Sequence, residues 1–403
     1  MKNLFQKLGP GLMFAGAAIG VSHLVQSTRA GADFGFGLIW ALLLINLIKY
    51  PFFAFGVHYT SKTGQDLLTG FQTLGRWVLA TYFLLSLMTM FTFQTAVTIV
   101  TAGIATSLTG LGSPLIWAGI ILLLCFLILI RGRFSLLDQV MKWVVIALTL
   151  STILAVILAW SAHEGRSDWT QVIPRTGLGI AFLIAFMGWM PAPLDLAIWQ
   201  SLWAVEKKQL NPDLSEQQVR LDFNIGYLAT VVIGLSFILL GGLVMFDQGE
   251  EFSNQGAVFA SQLINMYTDS LGSSAKGFIG LAALTTMFST SLTTLDGSPR
   301  VMAKISELLF PRAYRLNYMT WLVILVIGSV AVYLGLTDQM GTLIAIGTIL
   351  SFVSAPFYAI VIYKLVNGTS MAEEHRPGIV IRTLSVLSIL LLIGFSLWYL
   401  SIL

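Results

Sequence analysis

The sequence predicts an all-α integral membrane protein: eleven transmembrane helices in a single domain, built as two inverted five-helix repeats whose first helices are discontinuous. Three observations carry this expectation. Of the 403 residues 56% are hydrophobic and only 10% charged, against roughly 25% charged in a soluble globular domain. Apolar stretches of about 20 residues, the length that crosses a bilayer, recur eleven times. Two of those stretches are interrupted where a plain spanning helix would not be. Gly16–His23 puts glycines, a serine and a histidine at mid-depth, and Met187–Asp195 puts two prolines and a carboxylate there. Backbone that leaves the helical state inside a bilayer needs protein or water to receive its N–H and C=O groups.

The eleven stretches are 9–30, 36–60, 77–108, 114–131, 138–160, 178–203, 222–246, 273–296, 318–336, 340–364 and 380–402. The connections are short, so no soluble module is expected. Met1–Lys7 reads as a short basic lead rather than a cleaved signal, because the apolar run after it passes into a break and an arginine. The single cysteine, Cys125, lies within an apolar run and has no partner for an intrachain disulfide. Asn211–Gln217 reads as a turn leading into a short polar helix, and Val258–Met266 has the spacing of an amphipathic helix at the outer surface. Ser298-Pro299 suits the cap and first residue of a new helix after the eighth span ends at Asp296.

Orientation follows from the basic residues. Eighteen of them, including Lys49, Lys62, Lys207, Lys208, Arg220 and Arg300, fall on one side, and the other keeps Arg29, Arg166, Arg175 and Lys276. The bias puts the N-terminus in the cytoplasm and the C-terminus outside the inner (cytoplasmic) membrane. The acidic loop Asp247–Glu251 then lies outside.

Five spans precede the second interrupted one, so segments one to five (1–160) and six to ten (178–365) run antiparallel, and segment eleven (380–402) is an addition. Paired discontinuous helices in inverted repeats describe LeuT-type transporters, whose sites lie at the midplane where the breaks meet.

With the breaks and topology in hand, the chain resembles the NRAMP (natural resistance-associated macrophage protein) family of metal transporters over most of its length. The residues that carry the resemblance are Gly9-Pro10 and the Gly/Ala-rich helix after it, Gly31–Trp40 at that helix's exit, Gly132–Asp138, Met190-Pro191 and Ala355-Pro356-Phe357. The resemblance implies alternating-access transport of a divalent metal, coupled to protons. It also implies a site made by the first and sixth helices, with Met190 as the thioether ligand. Where the family's first helix breaks at Asp-Pro-Gly-Asn, this chain has Gly20, Val21, Ser22 and His23. The family's gating histidine falls on Ala192, a further histidine on Ala197, and the tenth-helix glutamine near Thr348. The third span lacks a carboxylate between Trp77 and Gly110, where the family has its proton-pathway acids. The resemblance therefore predicts the family's architecture with altered selectivity.

Residue chemistry nominates the site. Carbonyls of Ala18, Ile19 and Gly20 would offer oxygen at the negative end of a half-helix. His23 suits a metal ligand, a proton carrier or a hydrogen-bond donor to an organic substrate. Met190, with Met187, offers thioether sulfur. Asp195 is the carboxylate near the second break, able to neutralise a cation, carry a proton or complement a helix dipole. Gln26 and Trp189 complete the set for a small organic solute. Resemblance to sodium-coupled transporters of this architecture implies that Ser289 and Thr290 place hydroxyls against the first break for ion coupling, and Arg29 with Asp33 would form an outer gate.

The expected function is thus a secondary transporter of a metal cation. The alternatives are a carrier of an amino acid or amine, possibly sodium-driven, and a membrane sensor that binds without transporting. The histidines are scattered and no nucleophile–base spacing appears, which argues against an enzyme. No resident cofactor, nucleic acid or obligate protein partner is expected; the partners are lipid and the small substrate.

Overall fold

A computed structural model describes residues 10–131, 134–162, 168–213, 215–246, 253, 256–272, 276–335 and 339–401. Met1–Lys7, Gly9, Gly132-Arg133 and Asp247–Glu251 lie outside these residues, as does the side chain of Asp138. Among the described residues all regular structure is helical.

Helices stand at each predicted position. The first interrupted stretch is α1 (Pro10–Ala18), a bend at Ile19–Gly20, a π-helical turn (Ser22–Ser27) and α2 (Thr28–Phe34). Then follow α3 (Ile39–Thr63), α4 (Leu67–Leu74), α5 (Arg76–Thr109), α6 (Pro114–Ile130) and α7 (Phe134–Ala162). The second interrupted stretch is α8 (Gly177–Trp189) and α9 (Leu196–Leu210). The rest are α10 (Glu216–Val244), α11 (Gly256–Leu271), α12 (Lys276–Leu309), α13 (Tyr318–Gly335), α14 (Met340–Asn367) and α15 (Ile379–Leu400). Six helices among the described residues are long and apolar enough to cross a membrane, and three more are apolar but shorter. The two interrupted helices are divided, so neither half spans by itself.

Local chemistry sets the ends. Gly64 and Gly110 take left-handed backbone (φ 70° and 65°) to close α3 and α5, each returning its N–H to the carbonyl four residues back. Ser113 caps α6 ahead of Pro114. Ser215 opens α10 with a capping box to Gln218, so the polar segment after Asn211 is the first turn of α10, ahead of the spanning part of that helix, and not a separate helix. A second correction concerns Pro299. α12 continues through it to Leu309 instead of ending near Asp296. The Asp296–Arg300 ion pair spans that turn at 2.8 Å and joins the helix on both sides of the proline. The short helix α4, capped by Asp66, has no counterpart in the expected elements.

Packing follows size. α1 and α2 lie along α10, α5 along α12, and α8 along α14. Glycines permit the first contact: a Cβ on Gly11 would overlap Asp222 O, one on Gly31 would overlap Ile238 O, and one on Gly241 would overlap Thr28 O. The buried Asp222 fixes the start of α1, accepting the Gly11 N–H at 2.7 Å, where a helix N-terminus favours an anion. The apolar face of α11 (Phe259, Ala260, Leu263, Ile264, Met266) is buried and the helix packs on α5 and α7. Within their apolar windows α3 and α5 are 61% buried, but α13 only 28% and α15 22%; the latter two form the rim. The halves of the interrupted helices cross. α1 packs on α9, and the π-turn meets α8. Phe34 of α2 stacks 5.5 Å from Phe182 of α8.

Candidate functional site

The first break is stitched by its own backbone and by two neighbours. Ile19 N–H still reaches Ala15 O (2.7 Å) and Leu24 N–H reaches Gly20 O (2.9 Å). Ala18 O faces Ser22 Oγ at 2.8 Å and His23 Nδ1 at 3.0 Å. Ile19 O and Gly16 O face the Thr290 hydroxyl of α12 at 3.1 and 3.3 Å. The carbonyls expected to offer oxygen to a cation are therefore engaged by protein donors.

His23 is fully buried. Its Nε2 lies 3.1 Å from Thr230 O on α10, and Ser22 Oγ is 2.8 Å from its Nδ1. Both ring nitrogens face carbonyls, and carbonyls only accept. The ring satisfies both by donating twice as imidazolium, or donates once from Nε2 while Ser22 turns its hydroxyl onto Nδ1. Gly234 makes room for this group: a Cβ there would stand 3.5 Å from His23 Cδ2 and 3.7 Å from Met190 Sδ. The fold thus brings the two sequence-nominated ligands to one spot, with Ser27 Oγ 4.0 Å from the Met190 sulfur. Gln26 is buried, and its Oε1 meets no donor among the described residues. Among the described residues no group of three or more His, Cys, Asp or Glu side chains gathers.

The second break runs from Met190, in extended backbone, to Asp195. Its carbonyls meet a residue that sequence reasoning placed elsewhere. Lys49, counted among the charges at the cytoplasmic ends, is wholly buried. Its Nζ donates to Met187 O (2.9 Å), Gly188 O (2.7 Å) and Ala192 O (3.1 Å). The reason is depth: at 1.5 Å per residue, Lys49 is about 15 Å from the start of α3 and about 21 Å from its end. A lysine side chain cannot snorkel that far, so it finds the C-terminal carbonyls of α8 instead. Ala192 enters the site through its carbonyl. Met187 is buried and also contributes its carbonyl. Asp195, buried at the start of α9, faces Lys49 electrostatically.

A cavity of about 50 Å³ lies between the breaks, lined by Ala18, Gly20, Ser22, Phe93, Trp189, Asp195, Trp199 and Thr290 among others. Asp195 is its carboxylate. Ser289 turns away, donating to Thr286 O in its own helix at 2.7 Å, so Thr290 alone of the pair reaches the break. Arg29 lies with its guanidinium 5.7 Å from the Phe182 ring centroid, between α2 and α8, and Asp33 is exposed one turn further on. Thr348 donates to Ile344 O, and its own carbonyl abuts Gly188.

Below the cavity a buried cluster joins α9, α12 and α13. The Asp296 carboxylate accepts from Arg300 Nε (3.0 Å) and Nη2 (2.8 Å), Trp203 Nε1 (3.1 Å) and the Tyr318 hydroxyl (3.0 Å). Arg300 reaches Glu206 at 2.6 Å. Together Asp296 and Arg300 clamp the second half of the interrupted helix to its neighbours.

Known proteins place this arrangement in a family. Residues 11–401 match the family model described as natural resistance-associated macrophage protein-like. A protein of Pasteurella multocida (strain Pm70), uncharacterized, is 32% identical over 98% of this chain and 92% of its own. A manganese transporter of Eremococcus coleocola has a similar fold, with a TM-score of 0.75 at 16% identity, over 98% of this chain and 86% of that one. MHP1, a nucleobase-cation-symport-1 family transporter, is similar at a TM-score of 0.64 and 15% identity, covering 97% and 92%. With its two interrupted helices meeting at His23, Met190 and Lys49, the chain belongs to the Nramp family.

Proposed function

We propose that this protein is a secondary transporter that moves a metal cation across the cytoplasmic membrane by alternating access about the two breaks. The observation that carries this reading is Lys49: three carbonyl oxygens at the second break already hold a cation, within 3.1 Å. An oxygen end of this kind, beside Met190 sulfur, His23 nitrogen and the buried Asp195, is a receptor for positive charge softer than a carboxylate cage. Manganese is what the Eremococcus relative transports by its name, and it is the first metal to try here.

The finer architecture belongs to the same proposal. Eleven spans form two inverted repeats, with helices at every expected position, and the crossing of α1 on α9 and of the π-turn on α8 supports it. The N-terminus is cytoplasmic and the C-terminus external, as the basic residues direct. Coupling is to protons through His23, whose ring nitrogens both face carbonyls while Ser22 can donate a hydrogen bond to Nδ1 when that nitrogen carries no proton. Sodium is the rival coupling ion, favoured by one feature: the Thr290 hydroxyl sits among Gly16 O, Ile19 O and Thr286 O.

A second reading, an organic cation, is favoured by the aromatic side chains Phe93, Trp189 and Trp199 around Asp195. The cavity's volume of about 50 Å³ exceeds the 10–15 Å³ or so that one water needs by this measure, but only a few-fold. It suits an ion with a few waters; an amine requires the site to open.

Reconstitution into proteoliposomes tests the choice. Mn²⁺ uptake that saturates and rises with an inward proton gradient supports the proposal. Uptake of amines or amino acids without Mn²⁺ uptake selects the second reading.

A further inference from the structure

Lys49 has three ammonium hydrogens, and three carbonyl oxygens accept them: Met187 O, Gly188 O and Ala192 O. The donor set is complete, and the acceptors come from the end of α8 and from within the break that follows it. The first two carbonyls close α8, at the negative end of its dipole, and the third lies just past Pro191. The lysine comes from α3, outside both interrupted helices. Lys49 therefore does two things at once: it fills the oxygens with positive charge and pins the break to α3.

A free cation entering beside Met190 meets an ammonium already seated on the carbonyl oxygens of the second break. The same carbonyl lone pairs cannot serve both, and like charges in a water-poor site repel. We propose that Lys49 is a tethered cation that sets the specificity of this site. It holds the break's carbonyls when cargo is absent, and it must leave them before a cargo cation binds. Cargo and lysine exchange at the same oxygens, so the empty carrier keeps the carbonyls of its break occupied and the loaded carrier releases them from α3. The inference rests on the cation reading above and adds the residue that competes with the cargo.

Two measurements on the full-length protein in lipid nanodiscs test it. The first is calorimetric Mn²⁺ binding to the wild type and to Lys49→Gln. Removing the competing charge should tighten binding about tenfold or more, a free-energy change of about 1.4 kcal/mol. The second needs no variant: reductive methylation of the wild-type lysines, read by mass spectrometry. Saturating Mn²⁺ should raise Lys49 methylation several-fold and leave the exposed Lys208 unchanged. If Lys49→Gln does not fold, the labelling result decides alone. Mn²⁺ binding with unchanged Lys49 methylation, or equal affinity in the two proteins, overturns the exchange and leaves the cation reading standing. Absence of Mn²⁺ binding to both proteins overturns the cation reading itself, and the exchange with it.

Discussion

The Lys49 ammonium lies 2.7 Å from the carbonyl oxygen of Gly188, the last residue but one of α8. A charge in the middle of one unbroken helix thereby satisfies the open end of a broken one. The contact explains how the second break persists in an apolar interior, where each unpaired carbonyl costs free energy. The same logic applies at the first break, where Ser22, His23 and Thr290 supply the donors.

The glycine contacts predict the cost of a single methyl. Gly31→Ala should lower stability by about 1–3 kcal/mol, because the added Cβ collides with Ile238 backbone on α10, which cannot rotate away as a side chain can. Thermal unfolding in detergent reads this. Gly119→Ala, where a Cβ meets nothing within 4 Å, is the control and should change little.

Removing the Asp296 carboxylate should be more severe. Asp296→Ala strips Trp203, Tyr318 and Arg300 of a shared acceptor and leaves Glu206 as the ion-pair partner of Arg300 among the described residues. Breaking a buried pair from one side costs about 3–5 kcal/mol, and Arg300's partial exposure puts the expected loss at the lower end. The denaturation midpoint measures it, and a loss below about 1 kcal/mol would mean that the cluster does not clamp α9.

Thr290→Val keeps the shape of α12 and removes the hydroxyl at the Gly16 and Ile19 carbonyls. A loss of about 1 kcal/mol is expected for one net hydrogen bond. The variant also separates the coupling ions. Proton-driven uptake should persist in it, and a sodium dependence present in the wild type and absent here would favour the rival ion.

Acid should act first on the polar rim of α10. Lys62 donates to Glu216 at 2.7 Å and, as the main cause, holds that carboxyl below the usual glutamate range; His58 and Arg220 assist. A lowered folded-state pKa means that the pair stabilises fully above the unfolded value near ~4.3 and that this contribution disappears as pH falls through the folded value. Glu216 is largely exposed, so the gain is screened to a few tenths of a kcal/mol or so. Thermal midpoints of the wild type and Glu216→Gln should differ slightly at pH 6 and converge once the pH has fallen below the folded-state value.

The helices were legible because length and hydropathy suffice for them, and both interruptions showed as polar or proline-bearing stretches. Other features depended on tertiary partners. Pro299 reads as a helix start, yet the Asp296–Arg300 pair and packing carry α12 through it. The Ala18 and Ile19 carbonyls look free in the sequence but are met by donors on their own turn and on α12. Ser289 and Thr290 are neighbours in sequence, and only the helical phase decides that Thr290 faces the break. Lys49 did leave a signal: it lies mid-way along a 25-residue apolar helix, too deep to reach either surface. Charge counting by segment hid it, whereas depth along the helix exposes it, since an ionisable residue at the bilayer centre is a site residue by default.

The most direct test is Mn²⁺ uptake into proteoliposomes by the wild type, Met190→Ala and His23→Ala. The account predicts saturable uptake by the wild type, a loss of about tenfold or more in apparent affinity for Met190→Ala, and loss of the response to a proton gradient for His23→Ala. Uptake with unchanged affinity and unchanged proton dependence in both variants would contradict it.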